Sequence, residues 1–252
     1  MSDREFRGVA GRFTRCARFT PMARAGWRRA RLAFALAFGV FAAGVAISAS
    51  KYPEQPYDWG YVVMSALASH KRNPEGGHWF AAALGLSMLL LWPVVSYLRD
   101  EAAPGARRWP IVALRIALLC GLAVGVERLV FVHLSDLVFK GHELLALGMF
   151  VGLYAGVLGL YAERMRHGHR SWAGALVVGA PLAAIGITQL ALFLDQRDLG
   201  WVDTGWRAMG VPVWLSFAFW QWLAVAILWV GLGHLVWTRQ SGGPIEPPGG
   251  AS

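Results

Sequence analysis

Cysteine and acidic residues are scarce in this chain, and each shortage excludes a class of protein. The two cysteines, Cys16 and Cys120, lie in a basic tail and inside an apolar run, so neither a disulfide framework nor a CxxC metal site can form. No HExxH or comparable ligand spacing occurs, and neither a metal nor a cofactor is expected. With 15 Asp and Glu against 24 Lys and Arg, the formal charge is +9, a balance that can signal nucleic acid. Here the cations are mostly arginines crowded ahead of the first apolar run and into alternate connections, with no basic stripe interleaved with stacking aromatics. Nucleic acid is not an expected partner.

Apolar surface is what the chain has in excess. Hydrophobic residues fill 56% of the 252 positions, against about 45–50% in soluble domains, and the mean hydropathy is +0.43. Such a composition needs lipid as its solvent. Six apolar runs account for it: Leu32 to about Ser50, Trp79 to Leu98, Pro110 to Val132, His142 to Tyr161, Trp172 to Leu194 and Val213 to Trp237. Each approaches the roughly 20 residues that a helix needs to cross the hydrocarbon core. The runs are continuous and do not alternate, so helices are expected and a barrel is not. The expected fold class is therefore all-α, a polytopic bundle of six transmembrane helices over residues 32–237. A basic tail (1–31) precedes it, and a disordered Gly- and Pro-rich tail (238–252) follows.

Charge sets the expected orientation. One side collects the arginines of the first tail, then Arg99, Arg107 and Arg108, then Arg164, Arg166 and Arg170, and finally Arg239. The other side holds Lys51, Lys71, Arg72, Lys140, Arg197 and Arg207, diluted by acids. The positive-inside rule then puts both termini in the cytoplasm, with the cell inner membrane the expected location of so compact a chain. The first run reads as an uncleaved signal anchor. Ser48-Ala49-Ser50 offers the small residues of a cleavage site, but the run ahead of it exceeds the roughly 7–15 residues of a signal peptide. Met22 opens MARAGWRRARLAFALAF, which holds all that an anchor needs, so residues 1–21 are expected to be dispensable.

The first outer loop, Lys51 to His78, has structure of its own. After the turn-rich KYPEQPYD, the mostly apolar stretch Trp59 to His70 is too short to span and reads as an interfacial or re-entrant helix capped by Asp58. Asn73-Pro74-Glu75 reads as N-cap, first-turn proline and first-turn acid of the second span.

Charge at membrane depth is costly and marks candidate sites. Arg115 lies about 8 Å into the third span and can snorkel back to the cytoplasmic face. Glu127 and Arg128 end that span on the outer side, and His133, Asp136, His142 and Glu143 follow, with His70 and His78 on the same side. Histidines and carboxylates are the groups of acid–base and metal chemistry, which makes His142, Glu127 and Asp136 the catalytic candidates. His142, Ala146 and Phe150 share one helical face, and small Ala146 would let a neighbouring helix approach it. A hydrogen bond between His142 and Glu127 at the headgroup level is expected. His78, Glu143, His167 and His169 read as solvated. Gln221, near mid-depth of the sixth span, and Gln189 of the fifth are expected to bond between helices. His234 alone among the histidines lies well inside a run, so paired haem ligation is not expected.

Three stretches together resemble the Frag/DRAM/Sfk family of six-span membrane proteins and related bacterial domains of unknown function. Ser65-Ala66-Leu67-Ala68-Ser69 running into Asn73-Pro74-Glu75 and Phe80 is similar to the family's Ser-rich turn, Pro-Glu and phenylalanine. Gly125 near Glu127, then His142, Ala146 and Phe150, resembles its H-x-x-x-A-x-x-x-F, and Gln221-Trp222 its acid-Trp pair. The likeness covers Leu32 to Trp237. The sequence departs from it at Ala66, where eukaryotic members carry aspartate, and at Gln221, which replaces the acid. The resemblance implies lipid-related work, such as remodelling lipid anchors or modulating membrane lipids. The expected function is to bind or remodel a lipid at the outer leaflet, in a pocket among spans two, three, four and six beneath loop one, through Ser65, His70, Asn73, Glu127, His133, His142 and Gln221, with membrane lipids as partners. A membrane-embedded hydrolase of lipid esters or phosphodiesters and a non-catalytic scaffold are the alternatives, and a transporter is disfavoured by the absence of repeated broken helices.

A reporter that is active only in the cytoplasm is predicted to work when fused after Arg108 or Arg170 and to fail after Glu75 or Asp203; activity after Asp203 would break the six-span topology.

Overall fold

The computed structural model describes residues 21–130, 141–168, 171–196, 210 and 212–238. They form six long helices and one short one: α1 (Pro21–Ser50), α2 (Met64–Ala68), α3 (Gly77–Asp100), α4 (Trp109–Val130), α5 (Gly141–Arg166), α6 (Trp172–Gln196) and α7 (Phe217–Trp237). Six are long and apolar enough to cross a membrane. The protein is a multi-pass, all-α membrane protein, as its composition requires. Lipid offers the backbone no hydrogen-bond partner, so each apolar run closes its own bonds as a helix and breaks where Pro and Gly gather outside it.

Small residues bring neighbouring helices together. On α1 and α3, which run antiparallel, a Cβ on Gly44 would collide with Ala83, and Ser87 Oγ donates to Ala37 O at 3.0 Å. Along α5, Gly148, Gly152, Gly156 and Gly159 meet Cys120, Ala117, Leu114 and Trp109 of α4. As numbers rise on one helix they fall on the other, so this pair is antiparallel and packed backbone to backbone.

The α5–α7 pair is held differently. Tyr154 Oη donates to Ala224 O at 3.3 Å and Tyr161 Oη to Gly231 O at 3.2 Å, both across 70 residues. A constant offset between hydroxyls seven residues apart means that the two helices run parallel. Arg164 completes the series, giving Nη2–H to Leu235 O and Nη1–H to Thr238 Oγ1, each at 2.7 Å. At the same end of the bundle Trp27 Nε1 donates to Val236 O at 3.1 Å, and Arg31 stacks over Trp27 and Trp237. Thus α1, α3, α4 and α5 follow one another around a centre that α7 closes, while α6 packs outside on α7 and α5. One end carries α2, the other the arginines.

Several expected boundaries move. Helix α1 begins at Pro21, so Arg28, Arg29 and Arg31, ahead of the apolar run, are already helical. The fourth span continues past Tyr161 to Arg166, because the buried guanidinium of Arg164 finds its acceptors on α7. The loop-one helix is only Met64–Ala68, tucked inward with Met64, Ala66, Leu67 and Ala68 buried; it is not a longer helix lying along the interface. Asp58 caps a turn instead, its Oδ1 accepting from Gly60 N–H at 2.9 Å. The last span begins at Phe217 after a 3₁₀ turn, Val213–Leu215, which moves Gln221 from mid-depth to the second turn at the α2 end.

Gly152→Leu is predicted to cost about 1–3 kcal/mol by overpacking, since its Cβ would stand 2.9 Å from both Ala113 O and Ala117 Cβ. Gly186→Leu, with nothing within 4 Å, is the control. Thermal unfolding in lipid nanodiscs should separate them; equal melting temperatures would refute the close α4–α5 packing.

Candidate functional site

Loop one closes the α2 end by way of polar groups that two helices leave unspent. Past the end of α1, Gln55 Nε2 donates to Ala49 O at 2.8 Å and Tyr52 O at 2.6 Å, taking up carbonyls of the helix end. Tyr52, Tyr57, Trp59 and Trp222 follow edge to face, with ring centroids 5.1, 4.6 and 4.8 Å apart in succession. Tyr57 Oη donates to Val62 O at 2.9 Å. Burial pushes the pKa of this phenol above its ordinary value, so it stays a donor. Trp222 Nε1 donates to the same carbonyl at 3.1 Å, and Met64 N–H, the unpaired first donor of α2, reaches Gln221 Oε1 at 2.9 Å. Adjacent residues of α7 therefore hold the loop down.

Asn73 holds it from the other side. Its side chain is completely buried. Nδ2–H donates to Ser48 O and Ser48 Oγ, each at 2.9 Å, and to Leu67 O at 3.3 Å, while Oδ1 accepts from Gly76 N–H at 3.0 Å. One amide thus joins the end of α1, the end of α2 and the turn entering α3. Gly76 is glycine because a Cβ there would stand 2.5 Å from Asn73 Nδ2 and 2.7 Å from Ser48 O.

Beneath this cover lies a cavity of about 50 Å³. Met64 roofs it, and Phe41 of α1, Met88 of α3, Met149 and Leu153 of α5, and Leu228 and Trp229 of α7 wall it. No charged side chain lines it. From Leu84 to Leu91 it runs about 10 Å along α3.

The expected site residues do not converge on one centre. Asn73 and Gln221 both grip loop one, Asn73 through both atoms of its amide and Gln221 through Oε1. Ser65 and His70 are exposed at the same end. Glu127 and His142 lie at one level of α4 and α5, continuing the register in which Gly148 meets Cys120. They share no hydrogen bond: Glu127 Oε2 is buried without a partner among the described residues. The expected pair is corrected accordingly, since a common level does not aim two side chains at each other. The candidates His133 and Asp136 lie outside the described residues, as do Arg170, His169 and Cys16. No group of three or more His, Cys, Asp or Glu is gathered for a metal among the described residues. Gln189 Nε2 is buried without a partner there, so the expected bond between helices through that nitrogen is not made.

A pocket was expected beneath loop one among spans two, three, four and six; the cavity there is walled by α1, α3, α5 and α7, with no residue of α4, the third span. Sequence reasoning missed the α5–α7 ladder, for which the spacing Tyr154, Tyr161 was a signal. His234 belongs to that ladder, its Nδ1 lying 2.8 Å from Tyr161 Oη with the rings stacked. In comparisons with known proteins, no family model, no curated protein and no solved structure matches this chain.

Asn73→Ala orphans Gly76 N–H and Ser48 O, and each buried group left unpaired costs about 1–3 kcal/mol. The variant is predicted to unfold at markedly lower denaturant than wild type, whereas Ser65→Ala should leave the midpoint unchanged. An unaltered midpoint for Asn73→Ala would show that the clasp carries no stability.

Proposed function

We propose that the protein binds a membrane lipid at the α2 end, taking the end of an acyl chain into the apolar cavity under loop one. The observation that carries this reading is the cavity itself, a half-open space among helices whose lining is almost entirely apolar. Apolar spaces of this kind accept apolar guests. At about 50 Å³ the space admits a chain terminus, not a whole chain. Met64, Met88 and Met149 supply the means to enlarge it, because unbranched thioether side chains repack at low cost.

The orientation proposed is the one the charges favour. Arg28, Arg29, Arg31, Arg99, Arg107, Arg108 and Arg166 crowd the end opposite α2, while the α2 end mixes Lys51, Lys71 and Arg72 with Glu54, Asp58 and Glu75. This places the arginine-rich end in the cytoplasm and loop one at the outer leaflet of the cell inner membrane. The lipid-related work implied by the Frag/DRAM/Sfk resemblance agrees with this reading. Exposed Ser65 and His70, with half-buried His142, stand near where a headgroup would lie.

A phospholipid carrying a photoreactive terminal carbon on one acyl chain, reconstituted with the full-length protein, is predicted to label Met88, Met149 or Leu153. Leu153→Trp, which fills the cavity, should reduce that labelling about tenfold, the equivalent of about 1.4 kcal/mol. Labelling confined to outward residues such as Leu144 and Val151 would sink the proposal.

A further inference from the structure

At the arginine-rich end a groove of about 820 Å³ opens between the last turn of α3, the 101–108 connection and the first turns of α4. Arg99, Arg107, Arg108 and Arg115 line it. Two of these charges are already answered. Arg99 lies 2.7 Å from Asp100, and Arg107 lies 3.8 Å from Glu163, which also accepts the Arg107 backbone N–H at 3.2 Å. Arg108 and Arg115 form no ion pair among the described residues. Arg115 Nε is buried with no hydrogen-bond partner, and the guanidinium lies 5.9 Å from the centre of the Trp92 ring. A ring face offsets charge but leaves the in-plane donors of the fork unspent.

The groove brings the two unanswered arginines to one ligand. Arg108 stands just ahead of the first turn of α4, its carbonyl accepting from Val112 N–H at 3.1 Å, and Arg115 follows seven positions later, about 10 Å along the axis. Side chains on a helix lean toward its N-terminus, which brings the Arg115 guanidinium back toward Arg108 and the positive end of the α4 dipole. Around and beyond Arg115, this helix presents Val112, Ile116 and Leu119, all about half exposed toward where lipid lies. A matching ligand carries an anion with several acceptor oxygens at the membrane boundary and an apolar body that continues along the helix.

We propose that this groove binds the phosphate of an anionic phospholipid between Arg108 and Arg115, with its acyl chains against Val112, Ile116 and Leu119. Guanidinium forks suit phosphate oxygens, and the placement answers the cost of an arginine seven residues inside a span. Inorganic phosphate shares the anionic chemistry but makes no use of the apolar flank. The site stands at the opposite end from the cavity, so its failure would leave the acyl-chain proposal untouched.

Native mass spectrometry of the full-length protein in mild detergent tests it, with phosphatidylglycerol, phosphatidylcholine and inorganic phosphate as probes. The expected result is retention of one phosphatidylglycerol in clear preference to phosphatidylcholine, undisturbed by excess inorganic phosphate. Arg108→Gln/Arg115→Gln should lower that retention about tenfold, while Arg72→Gln, exposed at the opposite end, changes it little. Arg108→Gln alone lies outside the span, so it can be read even where the double variant does not fold, and it should lower retention a few-fold. Equal retention of the two lipids, displacement by inorganic phosphate, or full retention by Arg108→Gln would each overturn the assignment.

Discussion

A single buried amide organises the α2 end. The side chain of Asn73 is enclosed by the ends of α1 and α2 and the start of α3, and it answers two carbonyls, a hydroxyl and an N–H that have no water to turn to. The geometry is demanding because both functions of the amide are used at once. Aspartate would lose the donors, and leucine would leave Gly76 N–H and Ser48 O unpaired. Loop one can lie flat over the bundle because this clasp on one side and Gln221 and Trp222 on the other take up its polar groups. The cavity below depends on that cover.

Two modes of packing explain why the space is there at all. Where glycine and alanine face each other, as between α1 and α3 or α4 and α5, backbones meet and no space remains. Helix α7 is held instead by long side chains, Tyr154, Tyr161 and Arg164, that reach its carbonyls from α5. Those reaches hold α7 away from α5, and the gap toward α3 is filled incompletely by Met88, Met149 and Trp229. Methionine fills such a gap without fixing its shape. A cavity walled this way can change volume while the small-residue seams around it stay closed.

Much of this fold is legible in the sequence, because lipid permits few alternatives. Apolar run length identified all six spanning helices, with ends off by a few residues wherever a polar side chain found a partner across the bundle, as Arg164 does. Asn73 was legible as a cap, since asparagine before Pro-Glu has few other uses, but its wider role depends on Ser48 and Leu67 arriving from elsewhere. Gln221 was read as a bond between helices and makes one, to the first N–H of α2, from the second turn of α7 and not from mid-depth. The pair Glu127–His142 failed for a geometric reason: periodicity fixes the level of a side chain and its face, not the direction of its last bonds. The pocket beneath loop one was expected, but its walls were not fully legible, as apolar residues of α1 look like any core and α4 contributes none.

Hydrogen exchange of the full-length protein in lipid nanodiscs tests most directly whether loop one is a fixed cover. With Met64 N–H bonded to Gln221 and Gly76 N–H to Asn73, segments 62–68 and 73–77 should exchange as slowly as the spanning helices, while Glu54 and Gln55 exchange at once. Fast exchange across the whole of 54–77 would contradict a fixed cover and, with it, a roofed cavity.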